Sequence, residues 1–258
     1  MNQVKQEIEN GVSAPKRVAV KSTDAAKLVN VVSSYALPGV DWDYYNTVYK
    51  LLDFTHSWPQ GMAMHAGWQD SGFWSTIGLW NNDETVEQYF GSVAIERISQ
   101  AIQLLGAVPN RDGATDVEPE RHVVANLILG PHSRKFVDIG DDRDGSAVGA
   151  LGGQPIVVQL TIGGFTPELY AEMIGRLGYA DAIPAELIAH YAMVDDGEMR
   201  VIEFWSGHGH ALATLGGDML TAVEHIAHEH GTELPCDHTT NELRRIVFSD
   251  EIVTAFGY

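Results

Sequence analysis

Histidine is the side chain whose charge changes nearest neutral pH, so a histidine set among weakly polar neighbours is the first place to look for proton transfer. His65 occupies such a place in GMAMHAGWQDSGFWSTIGLW (61–80), a stretch that also holds Trp68, Trp74 and Trp80, half of the six tryptophans in the chain. Indole rings stack on flat aromatic molecules. An imidazole beside them could take a proton from a phenol held there. The same residues could equally be core: a satisfied buried histidine, and tryptophans that only pack. Trp58 and His56 flank the loop leading into this stretch and extend the candidate set.

Other chemistries find less support. His208, His210, His225, His228, His230 and His238 form a histidine-rich end, yet no HExxH or facial-triad spacing occurs, so no metal is expected. His225, His228 and His230, in the last turns of a helix, suit a solvated face where partial positive charge is favourable. GxSxG is absent, and the single Cys236 beside Pro235 reads as a loop residue, so nucleophilic catalysis is not indicated. GALGG (149–153) lacks the spacing of a dinucleotide fingerprint.

The elements that would position His65 emerge from a repeat. Shifted by 125 residues, the sequence falls on itself without a gap over about seventy positions. Pro59 meets Pro184, His65 meets His190, Asp70 meets Asp195, Gly72 meets Gly197, Trp80 meets Trp205 and Gly106 meets Gly231. Tyr45 likewise meets Tyr170. Each copy reads as a β-rich run (28–37 or 155–162), then a helix capped by Asp41 or by Thr166 with Pro167 following. Two strands split by QDSG or VDDG come next. A long helix closing on Gly106 or Gly231 and a last strand (120–130 or 242–252) complete the copy. The order β-α-β-β-α-β is the ferredoxin-like plan, an α+β class.

The expected organisation is a disordered arm over 1–25, a first repeat over 26–130, an acidic, glycine-rich linker over 131–154 and a second repeat over 155–258. One face of each sheet is covered by helices, and leaving the other in water is unfavourable. The two open faces are therefore expected to close on each other as an intrachain barrel, with the ligand between them. Alternation in 73–80 assigns Ile77 and Leu79 to the helix-covered face and Trp74, Thr76 and Trp80 to the barrel, with Met199 and Glu203 their counterparts. His65 and His190 are assigned inward too. Trp80 and Trp205, shared by both copies, read chiefly as fold residues. Trp68 and Trp74, where the second copy has Met193 and Met199, read as shaping a ligand site.

With 35 acidic against 16 basic residues the net charge is −19. Nucleic acid or an anionic membrane surface as partner would need clustered Lys and Arg, so neither is expected. One cysteine excludes an intrachain disulfide, no apolar run approaches a membrane span, and the first residues lack a secretory h-region. A cytoplasmic protein is expected.

PQGMAMHAGWQDSGFWSTIGLWNNDETVEQYF, and more weakly PAELIAHYAMVDDGEMRVIEFWSG, carry G-[LM]-x-x-H-A, a polar glycine turn, a strand ending in Trp and an acidic-capped helix. This resembles the antibiotic-biosynthesis monooxygenase type of dimeric α+β barrel, over roughly 26–130 and 155–252. A two-copy chain of this length is similar to the ring-opening oxygenases of angucycline pathways of the jadomycin, gilvocarcin and kinamycin kind. The resemblance implies oxidative C–C cleavage of a polycyclic aromatic polyketide with O₂ and reduced flavin, that flavin bound or supplied by a flavin reductase. Single-copy relatives imply an alternative, anthrone oxidation to a quinone without metal or prosthetic group. In either, His65 is the expected base, with Trp58, His56, Trp68, Trp74, Thr76, Trp80, His190, Met199 and Glu203 about the substrate. The expected state is a monomer with a pseudo-dimeric barrel, or a homodimer. Two rivals stand beside this reading: a haem enzyme of the two-copy type using His190, and a non-catalytic aromatic-ligand binder or cyclase-like helper.

Overall fold

The computed structural model describes residues 29–106, 120–133 and 154–256, apart from positions 55, 71, 132, 180 and 196. The arm expected over 1–25, and nearly all of the linker expected over 131–154, lie outside the described residues.

The first half runs β1 (Val31–Pro38), α1 (Trp42–Leu52), β2 (Met62–Asp70), β3 (Phe73–Trp80), α2 (Asp83–Tyr89), α3 (Ile95–Leu105) and β4 (Glu120–Leu129). The second runs β5 (Ile156–Gly163), α4 (Pro167–Leu177), β6 (Leu187–Asp195), β7 (Glu198–Trp205), α5 (His208–Ala213), α6 (Leu220–His230) and β8 (Cys236–Phe248), followed by α7 (Asp250–Ala255). Asp41 accepts from the Tyr44 amide and Thr166 from the Leu169 amide, so both helix starts carry the side-chain caps that their residue types provide. Gly72 and Gly197 turn the two hairpins at φ of 81° and 84°, a conformation that side-chain-bearing residues rarely adopt.

Two elements differ from expectation. The long helix of each half is interrupted by a π-helical segment, Phe90–Ala94 and Thr214–Met219. Gly91 and Gly216 lie in these segments, and glycine's low helical preference tolerates the wider turn. The last strand of the second half spans 236–248 rather than 242–252, which places Cys236 in β8. Ser249 ends it by capping α7 at the Ile252 amide, with Asp250 and Glu251 in the first turn.

The eight strands form one closed antiparallel barrel in the order β1-β3-β2-β8-β5-β7-β6-β4. Strands β4, β1, β3 and β2 of the first half are contiguous, as are β8, β5, β7 and β6 of the second. The halves join where β2 pairs with β8 and β4 with β6. Closure leaves no sheet edge among the described strands. Among the described residues no helix is long and apolar enough to cross a membrane.

The barrel interior is packed, contrary to the expected ligand cavity. Met64, Trp68, Ile77, Leu79, Tyr191, Phe204, Leu243 and Ile246 fill it, each no more than 2% exposed, together with Ile252, Val253 and Phe256. An eight-stranded barrel is just wide enough for its own side chains. The assigned alternation is therefore reversed: Ile77 and Leu79 point into the barrel, whereas Trp74 and Trp80 lie under the helices of the first half. Met199 and Trp205 lie under those of the second. Both faces of the sheet are apolar, so the 2-residue period could not say which was which.

Candidate functional site

The polar and titratable groups gather beneath the helices, one cluster in each half. In the first half α1 lays Trp42, Tyr45, Asn46 and Tyr49 toward the sheet at i, i+3, i+4 and i+7 spacing. His65 rises from β2 to meet them, and the Tyr45 hydroxyl hydrogen-bonds its Nε2 at 2.5 Å. Tyr45 and Tyr49 stack on the His65 ring and Phe54 meets it edge-on. Trp74 stacks on Tyr45 at 4.4 Å and lies 5.6 Å from Trp42. Gly67 permits this approach, since a Cβ there would come within 3.1 Å of both the Trp74 ring and the Tyr45 hydroxyl. Trp80 donates from Nε1 to Ser33 Oγ at 2.8 Å and packs on Tyr89.

Arg245 completes the cluster from β8, a strand of the other half. Fully buried, it places its guanidinium 3.5 Å above the Tyr49 ring and donates to Asn46 Oδ1 at 2.9 Å. Burial, and secondarily the Arg245 charge, push the His65 pKa down to about 3. His65 is therefore neutral at neutral pH. With the Tyr45 hydroxyl as donor to Nε2, the ring proton sits on Nδ1. Among the described residues, Trp74 Nε1 and the Tyr89 hydroxyl are buried here without hydrogen-bond partners.

The depressed pKa makes a stability prediction. Above pH 6.5 His65 is neutral folded or unfolded; between pH 6.5 and about 3 only the unfolded chain binds the proton, so stability falls as pH falls. The slope from this residue is about 1.4 kcal/mol per pH unit. In urea unfolding the acid-side slope of His65→Phe is expected to be shallower than the parent's by that amount. Equal slopes would mean that His65 is not held neutral.

In the second half the same framework is closed on itself. The Tyr170 hydroxyl bonds His190 Nε2 at 2.6 Å, and Asn126 donates to that hydroxyl at 2.8 Å. Glu203 Oε1 accepts from His190 Nδ1 at 2.8 Å and from the Tyr179 hydroxyl at 3.2 Å, while Oε2 accepts from Trp205 Nε1 at 3.0 Å. His190 is 0% and Glu203 1% exposed. Both imidazole nitrogens are committed to protein groups, which leaves none for the haem iron weighed from sequence.

The candidate residues are thus dispersed. His65, Trp74 and Trp80 come together, with Thr76 on the same face of β3. Trp58 joins through Phe54 while donating to the Met62 carbonyl. His190, Met199 and Glu203 belong to the other half, and none of these three faces the barrel as assigned. Of the candidates, Trp68 alone points into the barrel, edge-on to Phe204, its Nε1 without a partner among the described residues. His56 is on the surface, bonded to Asp53. Sequence reasoning missed Trp42, Asn46, Tyr49, Phe54 and Arg245; the signal within reach was the Tyr–His pair, separated by 20 residues in both copies.

A surface groove of about 500 Å³ lies by Arg176, Leu177, Asp218, Thr221, Ala222 and His225. Arg176 there is tied to Glu172 and Glu229, which makes it a seam between α4 and α6. Among the described residues no three of His, Cys, Asp and Glu converge as metal ligands would. His230 instead pairs with Glu172.

Comparison with solved structures places the fold. The chain is similar to a candidate monooxygenase from Lactobacillus acidophilus NCFM, with TM-score 0.55 and 6% identity over 85% of this chain and 96% of that one. It is similar also to a candidate monooxygenase from Fusobacterium nucleatum subsp. nucleatum, with TM-score 0.54 and 10% identity over 86% and 95%. An anthrone oxidase-like protein aligns with TM-score 0.45 and 13% identity over 88% and 96%. No protein-family model and no curated protein matches. At such identities the likeness is one of fold.

Proposed function

We propose that the protein is an oxygenase that oxidises a fused aromatic phenol of the polyketide kind, using the first-half cluster as its site and the second half, a copy of the same ferredoxin-like unit, as its structural counterpart. The observation that carries this reading is the Tyr45–His65 pair, buried beside the Arg245 guanidinium inside an aromatic shell. A flat polyphenol gains from stacking on Trp74 and Tyr45. Its hydroxyl proton passes to the Tyr45 oxygen as Tyr45 hands its own proton to His65 Nε2. The phenolate formed is stabilised by Arg245, and that anion in turn offsets the positive charge that helps to hold the His65 pKa down.

An electron-rich phenolate can reduce O₂. Oxidation of an aryl CH₂ to a ketone balances with one O₂, one oxygen atom entering the product and the other leaving as water. Ring cleavage needs two more electrons, which reduced flavin supplies. A flavin phosphate asks for cationic or amide donors at a mouth, whereas Arg245 is buried over Tyr49 and bonded to Asn46. These residues do not fit a resident flavin, so flavin would act on this site only as a diffusible co-substrate.

The test is aerobic turnover of 1,8-dihydroxyanthrone by the full chain, followed by quinone absorbance and O₂ uptake, with and without reduced FMN. Protein-dependent quinone at one O₂ per product is expected, and Tyr45→Phe and His65→Gln should each lower kcat at least about 100-fold. Undiminished turnover in both variants would remove the proton relay. A ring-opened product formed only in the presence of reduced FMN would instead select ring cleavage with flavin as a co-substrate.

A further inference from the structure

Large apolar side chains left in water are concentrated on one helix. Of the six most exposed among the described residues, four lie on α3: Ile95, Ile98, Leu104 and Leu105, between 36% and 70% exposed. Ile102 beside them is half-buried. Ile95, Ile98, Ile102 and Leu105 follow one another at spacings of three, four and three residues, the a and d positions of a heptad. Ala94 and Ala101, at the g positions, are the residues of this stretch that are fully buried. The stripe itself runs along a solvent-facing shoulder of α3.

The second half shows the same helix in a form suited to water. Shifted by 125 residues, Ile102, Leu104 and Leu105 become Ala227, Glu229 and His230. Glu229 pairs with Arg176 and His230 with Glu172, so the outer seam between α4 and α6 is ionic. In the first half Leu51 and Thr47 stand in place of Arg176 and Glu172. All four polar partners are thus exchanged together for groups that form no ion pair. Contact with a partner would remove this apolar surface from water.

We propose that this face of α3 is the contact between two copies of the chain, α3 packing antiparallel on α3 about a two-fold axis at Gln100. The heptad spacing calls for another helix. Charge selects which one. The flanking e and g positions are Ser99, Ala94 and Ala101, and Glu96 with Arg97 leaves α3 neutral in a chain of net charge −19. A basic or acidic helix would find no counterpart for its flanking charges, whereas a copy of α3 brings none. The neutral face is also where two such anionic chains repel each other least. The arrangement sets Ile95 against the second copy's Leu105 and Ile98 against its Ile102, with the helix dipoles opposed. A helix face of about three turns gives less than the roughly 800 Å² per partner of a standard interface, so half-association is expected near about 10 µM.

Sedimentation velocity of the full chain from about 1 to about 100 µM should show the mean mass rising toward twice that of one chain. Ile95→Glu with Leu105→Glu sets like charges opposite each other and should hold the chain monomeric throughout, with Tm unchanged because both side chains are exposed. Ile95→Glu with Leu105→Lys opposes Glu to Lys in the antiparallel arrangement, so the dimer should return. Val123→Ser removes an apolar side chain of β4 that is 71% exposed and should leave the parent's behaviour. A parent that stays monomeric at the highest concentration overturns the proposal and leaves the face to a different protein. So does a dimer that survives the two glutamates, fails to return with the Glu–Lys pair, or is lost in Val123→Ser.

Discussion

Arg245→Met is expected to lower kcat/KM for a fused phenol by about 10²- to 10³-fold while leaving stability within about 1 kcal/mol of the parent. The two readouts separate because the guanidinium has opposed effects. In the proposed reaction it stabilises phenolate charge that exists only as the proton leaves, so its loss should fall on turnover. In the resting protein it is a fully buried cation, and burying a cation is expensive. A methionine of similar length keeps contact with Tyr49 and carries no such desolvation cost, although Asn46 Oδ1 loses its donor. Arg245→Lys tests the shape of the group: an ammonium keeps the charge but neither spreads over the Tyr49 ring nor presents the planar fork, so part of the loss should remain. The His65 pKa provides a reading independent of turnover. With the Arg245 contribution gone it should rise from about 3, yet stay below 6.5 because burial, the larger cause, persists. NMR titration of the imidazole in Arg245→Met measures this. Values of kcat/KM within threefold of the parent, or an unmoved His65, would show that Arg245 does not act on this site.

Trp68 and Trp74 should respond to substitution in opposite ways, although six residues and one turn separate them. Trp68→Ala is expected to cost about 3–5 kcal/mol, the range for truncating a large aromatic in a closed core. Its indole is 2% exposed inside the barrel, where Phe204 and the strands of both halves surround it. Trp68→Met should cost less than half as much, since Met193 fills the equivalent position in the other half. Neither change should alter ligand affinity beyond what partial unfolding explains. Trp74→Met, mirroring Met199, should leave the fold standing but weaken a bound fused phenol about tenfold, because an aromatic ring of the proposed site is lost. Urea unfolding and titration of the same samples decide the matter. A Trp68→Ala protein as stable as the parent would mean that the barrel is not the principal core, and unchanged affinity in Trp74→Met would move the ligand elsewhere.

These two tryptophans also show where reading along the chain stops. Both lie in one hairpin, and both are unmatched by aromatics in the second copy, so the sequence marks them as alike. They end on opposite faces of the sheet because the polar turn at QDSG reverses the strand between them. Which face is which depends on two apolar surfaces that look the same in a list of residues. Ile77 and Leu79 were as suited to the helices as to the barrel, and packing settled the choice.

By itself the sequence determined the repeat, and through it much else. Pro, His, Gly and Trp at one fixed offset place His65 and His190 at equivalent positions, and Asp41 and Thr166 start helices because their side chains satisfy open amides wherever such a residue precedes a helical run. It also determined the asymmetry, since Gly78 against Glu203 is visible as soon as the copies are aligned. Only the tertiary structure decided what these residues touch. Arg245 reaches Tyr49 and Asn46 because barrel closure lays β8 of one half against β2 of the other, 199 residues from Asn46 in the chain. No local pattern encodes that contact. The His65 pKa is likewise a property of the enclosure: desolvation comes from Tyr45, Tyr49 and Phe54 closing over one ring, and a sequence names those residues without saying that they surround it.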